Sequence, residues 1–226
     1  MSKHLTRKNI LLFFIPLVLI VAAYLILVQK EEALPEMTVH EKKEHFKSLI
    51  LPPTQEVYAD LMAQYERVKK DIEAGNTEDL EELKTEYKAS SNKELLMALK
   101  PHPVSIALAQ AAMESSWATS RFFREANNIF GVWSFDEDEP RIAAGEKRGD
   151  KTIWVKKYPS IKEAIRDYYR TIARGRAFSE FRALRLKTSD PYQLVKKLDK
   201  YSEKGAKYGK ELSSIIKFNK FKSYDI

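Results

Sequence analysis

Glu114 closes a run, Val104 to Met113, that is apolar apart from Ser105 and Gln110. A stretch apolar on all sides marks a helix buried at the centre of a domain rather than one lying on its surface. A carboxyl group delivered by such a helix into apolar surroundings is expected to keep its proton above the usual carboxylate range, as a general acid at neutral pH must. Other chemistry-bearing side chains are scarce. There is no cysteine, which excludes a disulfide framework, thiolate zinc sites and a cysteine nucleophile. The four histidines are His4, His40, His45 and His102, and His40 and His45 stand five apart, not at the i,i+4 spacing of a helical zinc site. No metal and no cofactor is expected.

The elements that must position Glu114 follow from periodicity. Val57, Leu61, Tyr65, Val68 and Ile72 line one face of a helix that Gly75 can close. Ahead of it, residues 31–53 with Pro35, Pro52 and Pro53 read as a tether ending in a short helical piece from Glu41 to Leu51. Thr77 can cap a helix carrying Leu80, Leu83 and Tyr87, and Asn92 one from Leu95 to Leu99 that stops before Pro101. These read as packing and spacer elements. From Val132 to Tyr158 the chain is rich in charged, β-branched and aromatic residues, which predicts a β-hairpin with Thr152 to Val155 in one strand. Ser160 and Glu163 form a capping box before a stripe of Ile161, Ala164, Ile165, Tyr168 and Ile172. Asp190-Pro191 opens a further helix with Leu194, Val195 and Leu198 on its face, and the last helix, 206–217, presents Tyr208, Leu212, Ile215 and Ile216.

Residues from Asn9 to Gln29 carry no charge, and the apolar stretch within them is long enough to span a hydrocarbon layer of ~30 Å. Lys3, Arg7 and Lys8 precede it, so the positive-inside bias keeps the N-terminus in the cytoplasm and sends the rest across. A cleaved signal peptide is the alternative, but the apolar run exceeds the usual length and no small-x-small site closes it. The expected order is a cytoplasmic tip and anchor over 1–30, a tether and helices over 31–100, and the catalytic domain over 101–226. The location expected is therefore the inner membrane, single-pass, with that domain outside the cytoplasm. The net charge of +7 gathers near the C-terminus, at Lys196, Lys197, Lys200, Lys204 and Lys207 among others. Solubility accounts for it, or a face for an acidic polymer; nucleic acid as a partner is set aside because the domain is exported.

Ala107 to Phe122, with Met113-Glu114-Ser115-Ser116-Trp117 at its centre, resembles the core motif of bacterial glucosaminidase domains, the group of flagellar and autolytic murein hydrolases. The resemblance continues through Asn127-Asn128-Ile129-Phe130-Gly131, through Lys157-Tyr158-Pro159-Ser160, and into Tyr201-Ser202-Glu203 with Tyr208 following. Gly131-Val132-Trp133, Tyr201-Ser202-Glu203-Lys204-Gly205 and the upstream Phe46 to Pro52 are most similar to the Bax-type branch. The resemblance implies an α+β, lysozyme-like fold, mainly helical with a small β-hairpin lobe, and hydrolysis of the β-1,4 bond after N-acetylglucosamine in peptidoglycan glycan strands. It places Glu114 as the catalytic acid and Tyr201 as the tyrosine that positions substrate or water. Trp117, Asn127, Asn128, Phe130 and Tyr158 fall on the substrate side, Trp117 either under a sugar ring or in the core. The family usually has glycine near Ser116 and at Ala118, where the chain turns after the acid. A second carboxylate is not identified: Glu137, Glu139, Glu146 and Asp150 lie in the hairpin lobe, and substrate assistance by the N-acetyl group would remove the need for one. A lytic transglycosylase and a non-catalytic murein-binding protein remain the rival readings.

Overall fold

The apolar run ahead of Glu114 forms a helix with every residue from Val104 to Ala112 buried. In the computed structural model, which describes residues 36–225 apart from 77, 79, 149 and 150, and only the backbone of 146–148, the elements run as follows. Helix α1 (Val39–Glu73) is followed by α2 (Leu80–Tyr87), α3 (Asn92–Leu99), α4 (Val104–Glu114) and α5 (Arg121–Ala126). The strands β1 (Arg141–Arg148) and β2 (Lys151–Lys156) lead to α6 (Ile161–Arg174), α7 (Ser179–Arg185), α8 (Pro191–Leu194) and α9 (Ala206–Phe218). Short 3-10 turns at Arg176–Phe178, Val195–Lys197 and Phe221–Tyr224 link or follow the later helices. The described residues are mainly helical with one antiparallel two-stranded sheet. The membrane span expected at Asn9–Gln29 and the cap expected at Thr77 lie outside the described residues, and no described helix is long and apolar enough to cross a membrane.

Residues 42–226 form one compact unit. Its main core joins α4 to Ile165 and Ile172 of α6, Phe181 of α7, Leu212 and Ile216 of α9, and Phe46, Ile50 and Val57 of α1. Each large aliphatic side chain fully buried in this way contributes about 1.5–3 kcal/mol. A second cluster, with Tyr65, Val68, Leu80, Tyr87, Leu95 and Leu99, seats α2 and α3 on the C-terminal half of α1 and on Ala173 of α6.

One sequence expectation is corrected by α1, which runs unbroken through Pro52 and Pro53 where two separate pieces were expected. An interior proline costs a helix about 3 kcal/mol because it deletes an N–H and crowds the preceding turn. Here Phe46 and Ile50 before the prolines and Val57 after them are all fully buried on one face, so tertiary packing overrides the local break. Thr54 donates its hydroxyl to the Ile50 carbonyl at 2.6 Å, within the same stretch. A second correction is small: Ser91, not Asn92, caps α3, accepting from the Glu94 N–H, while the Glu94 carboxylate takes the Ser90 N–H and hydroxyl. Helix α7 had no counterpart in the sequence reading, because its segment is arginine-rich and only Phe181 and Arg185 of it are buried.

The hairpin pairs Arg141 with Lys156 and Ile142 with Val155, then shifts register between Ala143 and Lys147. Trp133 bridges to Val155 from outside the strands. Arg121 of α5 donates to the Ala143 carbonyl at 2.6 Å and ties the hairpin to the helical part. At the other end of the chain, both carboxylate oxygens of Asp225 accept from Ser105, one from its N–H and one from its hydroxyl, each at 2.8 Å. That places an anion at the positive N-terminus of α4, whose own N-cap, Pro103, offers no side-chain bond.

Candidate active site

Glu114 is the last residue of α4 and is half-buried. Burial raises its carboxyl above the ordinary range, and a hydrogen bond from Tyr208 and the charge of Lys204 pull it only part of the way back. The C-terminal end of a helix adds to the effect, since its partial negative charge disfavours an anion. The direction of the shift is the one its sequence setting suggested.

Helix periodicity puts Gln110 one turn before Glu114 on the same face. Tyr208 meets both: its hydroxyl donates to Glu114 Oε1 at 2.8 Å and accepts from Gln110 Nε2 at 2.9 Å. Tyr168 of α6 donates to Gln110 Oε1, and His102 Nε2 stands 2.9 Å from the Tyr168 hydroxyl. His102, Gln110, Tyr168 and Tyr208 are each at most 1% exposed, so this polar row runs through the core and surfaces at Glu114.

Two glycines deliver Tyr208 to this position. Gly205 enters α9 at φ 56 and ψ −134, a conformation closed to residues with a side chain. Gly209 lies so close to the Val195–Lys197 turn that a Cβ there would stand 2.6 Å from the Val195 carbonyl oxygen.

Tyr201, carried over as a catalytic residue, stacks on Tyr208 with centroids 5.4 Å apart and planes 13° from parallel. Its phenol is pushed up by burial and by the Glu114 charge, and it remains neutral. The ring is half-buried.

The turn after Glu114 is built from three consecutive left-handed residues, Ser116, Trp117 and Ala118, at φ 53, 65 and 62. A residue bearing a Cβ pays roughly 1–2 kcal/mol there, which is why glycine is the common choice. The turn is held by Ser115, whose hydroxyl accepts from the Ala118 N–H at 2.8 Å and donates back to the Ala111 carbonyl, and by the Trp117 N–H on the Ala112 carbonyl. Trp117 is carried toward Phe46 and Phe221, with centroids 5.2 and 6.2 Å away, and Lys43 lies 5.0 Å over its ring.

The remaining residues expected on the substrate side frame the site. Asn127 ends α5 in the left-handed conformation and donates to the Tyr158 carbonyl. Asn128, 1% exposed, spends its amide on the Val132 and Lys156 carbonyls and the Val132 N–H. Phe130 stacks on Tyr168 at 3.9 Å and is 5% exposed. Asn128 thus fixes the loop, and Phe130 braces Tyr168 of the polar row. Tyr158 donates to Asp167 at 2.6 Å and borders a cavity of about 270 Å³ with Glu139, Lys156 and Arg166.

Of the hairpin-lobe carboxylates, Glu139 is paired with Lys156 at 3.1 Å, and Lys156 lies 3.7 Å from Asp167. Burial works to raise Glu139, but hydrogen bonds from Ser134 and Lys156 outweigh it and hold the group below its ordinary value. Glu137 is exposed beside Arg141. The Glu146 side chain and Asp150 lie outside the described residues. No carboxylate is among the groups that shift Glu114. Among the described residues no three His, Asp or Glu side chains gather as a metal site.

The parts of the row behind Glu114 were not identified as functional from the sequence. Gln110 had a signal, a polar residue one turn from the acid in an otherwise apolar helix; His102 and Tyr168 had none.

Comparison with known proteins gives concordant results. The family model described as mannosyl-glycoprotein endo-beta-N-acetylglucosaminidase matches residues 89–221. Protein bax of Escherichia coli K12 is 29% identical over 123 residues, 52% of this chain and 43% of that protein, so the match spans less than half the relative's length. Among solved structures, the catalytic domain of the Listeria monocytogenes autolysin Auto is similar at TM-score 0.47 and 18% identity, covering 85% of this chain and 100% of that one. The glycoside hydrolase domain of Salmonella typhimurium FlgJ is similar at TM-score 0.43 and 24% identity, over 62% and 90% of the two chains.

Proposed function

Because this chain belongs to the mannosyl-glycoprotein endo-beta-N-acetylglucosaminidase family and is a glycoside hydrolase, we propose that it cleaves the β-1,4 bond after N-acetylglucosamine in peptidoglycan, with Glu114 as the general acid. The observation that carries this reading is the carboxyl group at the end of a buried helix, raised by burial and met by one neutral donor. A glycan strand lies over the end of α4, between the helical core and the hairpin lobe of a lysozyme-like fold. Protonated Glu114 gives its proton to the glycosidic oxygen as that bond breaks, which is general acid catalysis by a group whose affinity for protons suits neutral pH. Tyr201, stacked on Tyr208 beside Glu114, positions the sugar or the attacking water. The uncharged stretch from Asn9 to Gln29 anchors the chain in the cytoplasmic membrane and presents the catalytic unit to the wall outside.

One observation favours a second reading on the same site. Among the described residues no carboxylate is one of the groups acting on Glu114, and a single-acid reaction needs none, be it hydrolysis assisted by the substrate's N-acetyl group or the closure of an anhydro ring by a lytic transglycosylase. Digestion of purified sacculi by the full chain in detergent, with products identified by mass spectrometry, separates these. Reducing N-acetylglucosamine ends support the hydrolase, and anhydro-muramic ends the transglycosylase. Binding to sacculi without any fragment release overturns both.

A further inference from the structure

The polar row behind Glu114 has a direction. Gln110 uses its amide oxygen on Tyr168 and its amide nitrogen on Tyr208. With those ends fixed, Tyr168 gives its only proton to Gln110, and Tyr208 gives its own to Glu114 Oε1. His102 Nε2 must then be the donor to the Tyr168 oxygen, since a phenol has one proton to give.

The reverse direction would start with a proton on Glu114 Oε1 and end with His102 Nε2 as acceptor, which places the imidazole proton on Nδ1. That atom is buried without a partner. As a lone pair it is tolerable; as an N–H it would be an orphan donor, the rarer and costlier case in protein interiors. A doubly protonated ring is disfavoured further, because full burial and the neighbouring Arg185 guanidinium push its proton affinity down. Arg185 is itself 2% exposed and is held by the Met97 and Ala98 carbonyls at the end of α3, so its charge is a fixed part of the core.

We propose that His102, Tyr168 and Gln110 are positioning residues that set the direction of hydrogen bonding through Tyr208, so that Glu114 Oε1 is always an acceptor and the transferable proton sits on Oε2. The proposal rests on the reading of Glu114 as the proton donor. It explains why a helix buried on all sides carries Gln110, and why an inert, buried histidine stands behind two tyrosines. The groups facing Glu114 are Tyr208 of α9, Lys204 ahead of it, Tyr201, and Tyr168 of α6. Of these only Tyr208 touches the carboxyl among the hydrogen bonds described, and its direction is decided three residues further back, at His102.

The test is Tyr168→Phe in the full chain. The ring keeps its place on Phe130, and only the hydroxyl is lost. Gln110 is then free to turn its oxygen toward Tyr208, which can spend its proton there instead of on Glu114. With glutamate Cδ labelled in ¹³C and Glu114 assigned by comparison with Glu114→Gln, the titration of Glu114 is expected to move to higher pH. The alkaline limb of kcat/KM moves with it, kcat falls roughly tenfold and KM stays unchanged, since Tyr168 is buried away from substrate. Tyr169→Phe is the control: it removes a buried hydroxyl that, among the described residues, bonds the His102 carbonyl, outside the row. It is expected to leave the Glu114 titration in place. Should Tyr168→Phe fail to fold, Tyr208→Phe, which removes the donor to Glu114 itself, is expected to raise the titration likewise. An unmoved titration in the folded variant, with Glu114→Gln inactive, overturns the row while the proton-donor reading stands. A raised titration with Glu114→Gln fully active leaves the row in place and removes the reading beneath it.

Discussion

Glu114 and Glu139 are both glutamates at the edge of the same unit, and the structure gives them opposite affinities for a proton. Glu114 is met by a neutral phenol and by a lysine close enough to act only through its charge. Glu139 is met by an ammonium at 3.1 Å, itself shared with Asp167. Desolvation raises both carboxyl groups; at Glu139 the hydrogen bonds from Ser134 and Lys156 outweigh it, and at Glu114 the Tyr208 bond and the Lys204 charge do not. One setting favours the protonated form, as the proposed role of Glu114 requires, and the other favours a charge that pins the hairpin lobe to α6. Charge separation of this kind is how one protein assigns different work to identical side chains.

Substitution of each by glutamine is the sharpest way to break the comparison. Glu114→Gln is expected to lower the rate of wall digestion by roughly 10²–10⁴-fold, whereas Glu139→Gln is expected to stay within about tenfold of wild type and to show its effect in thermal stability, by about 0–1 kcal/mol. Equal losses in a turbidity assay would put both carboxylates in the chemistry. A smaller effect is expected at the joint that serves only the first region. Gly209→Ala drives a Cβ against the Val195 carbonyl oxygen, so α9 must back away. Denaturant unfolding is expected to show a loss of about 1–3 kcal/mol, with activity reduced through Tyr208. The smallest effect has the opposite sign. Ala118→Gly relieves a left-handed residue costing roughly 1–2 kcal/mol at an added chain entropy cost of about 0.5–1 kcal/mol. A net gain near 0.5–1 kcal/mol in the same unfolding experiment is the expected result, and a loss would mean that the turn after Glu114 is not strained.

Much of this contrast was legible in the residues, because burial is written in periodicity. The run before Glu114 has no polar face, and that alone predicted a buried helix and a raised carboxyl. Ser160 with Glu163 and Asp190 with Pro191 announced helix starts that the structure places as expected, since capping depends on a few adjacent residues. What could not be read depends on distant partners. Pro52 and Pro53 argue locally for a break, and only the core contacts of Phe46, Ile50 and Val57 explain why α1 continues. His102, Tyr168 and Tyr208 come from segments up to about a hundred residues apart, so nothing in their spacing foretells a shared row. Asn128 and Phe130 sit in a motif read from sequence, and their bonds to the Val132 carbonyl and stacking on Tyr168 depend on partners the motif does not name.

The central claim is that Glu114 carries its proton into the pH range where the enzyme works. A group raised by burial is protonated below its shifted pKa and loses its proton as pH rises through that value, so the activity that depends on it must fall on the alkaline side. The decisive measurement is the ¹³C titration of Glu114 in the intact chain, laid over the alkaline limb of kcat/KM for soluble peptidoglycan fragments. The two curves should coincide, above the ordinary glutamate range. A Glu114 that titrates at or below that range, or an alkaline limb that follows some other group, would contradict the account.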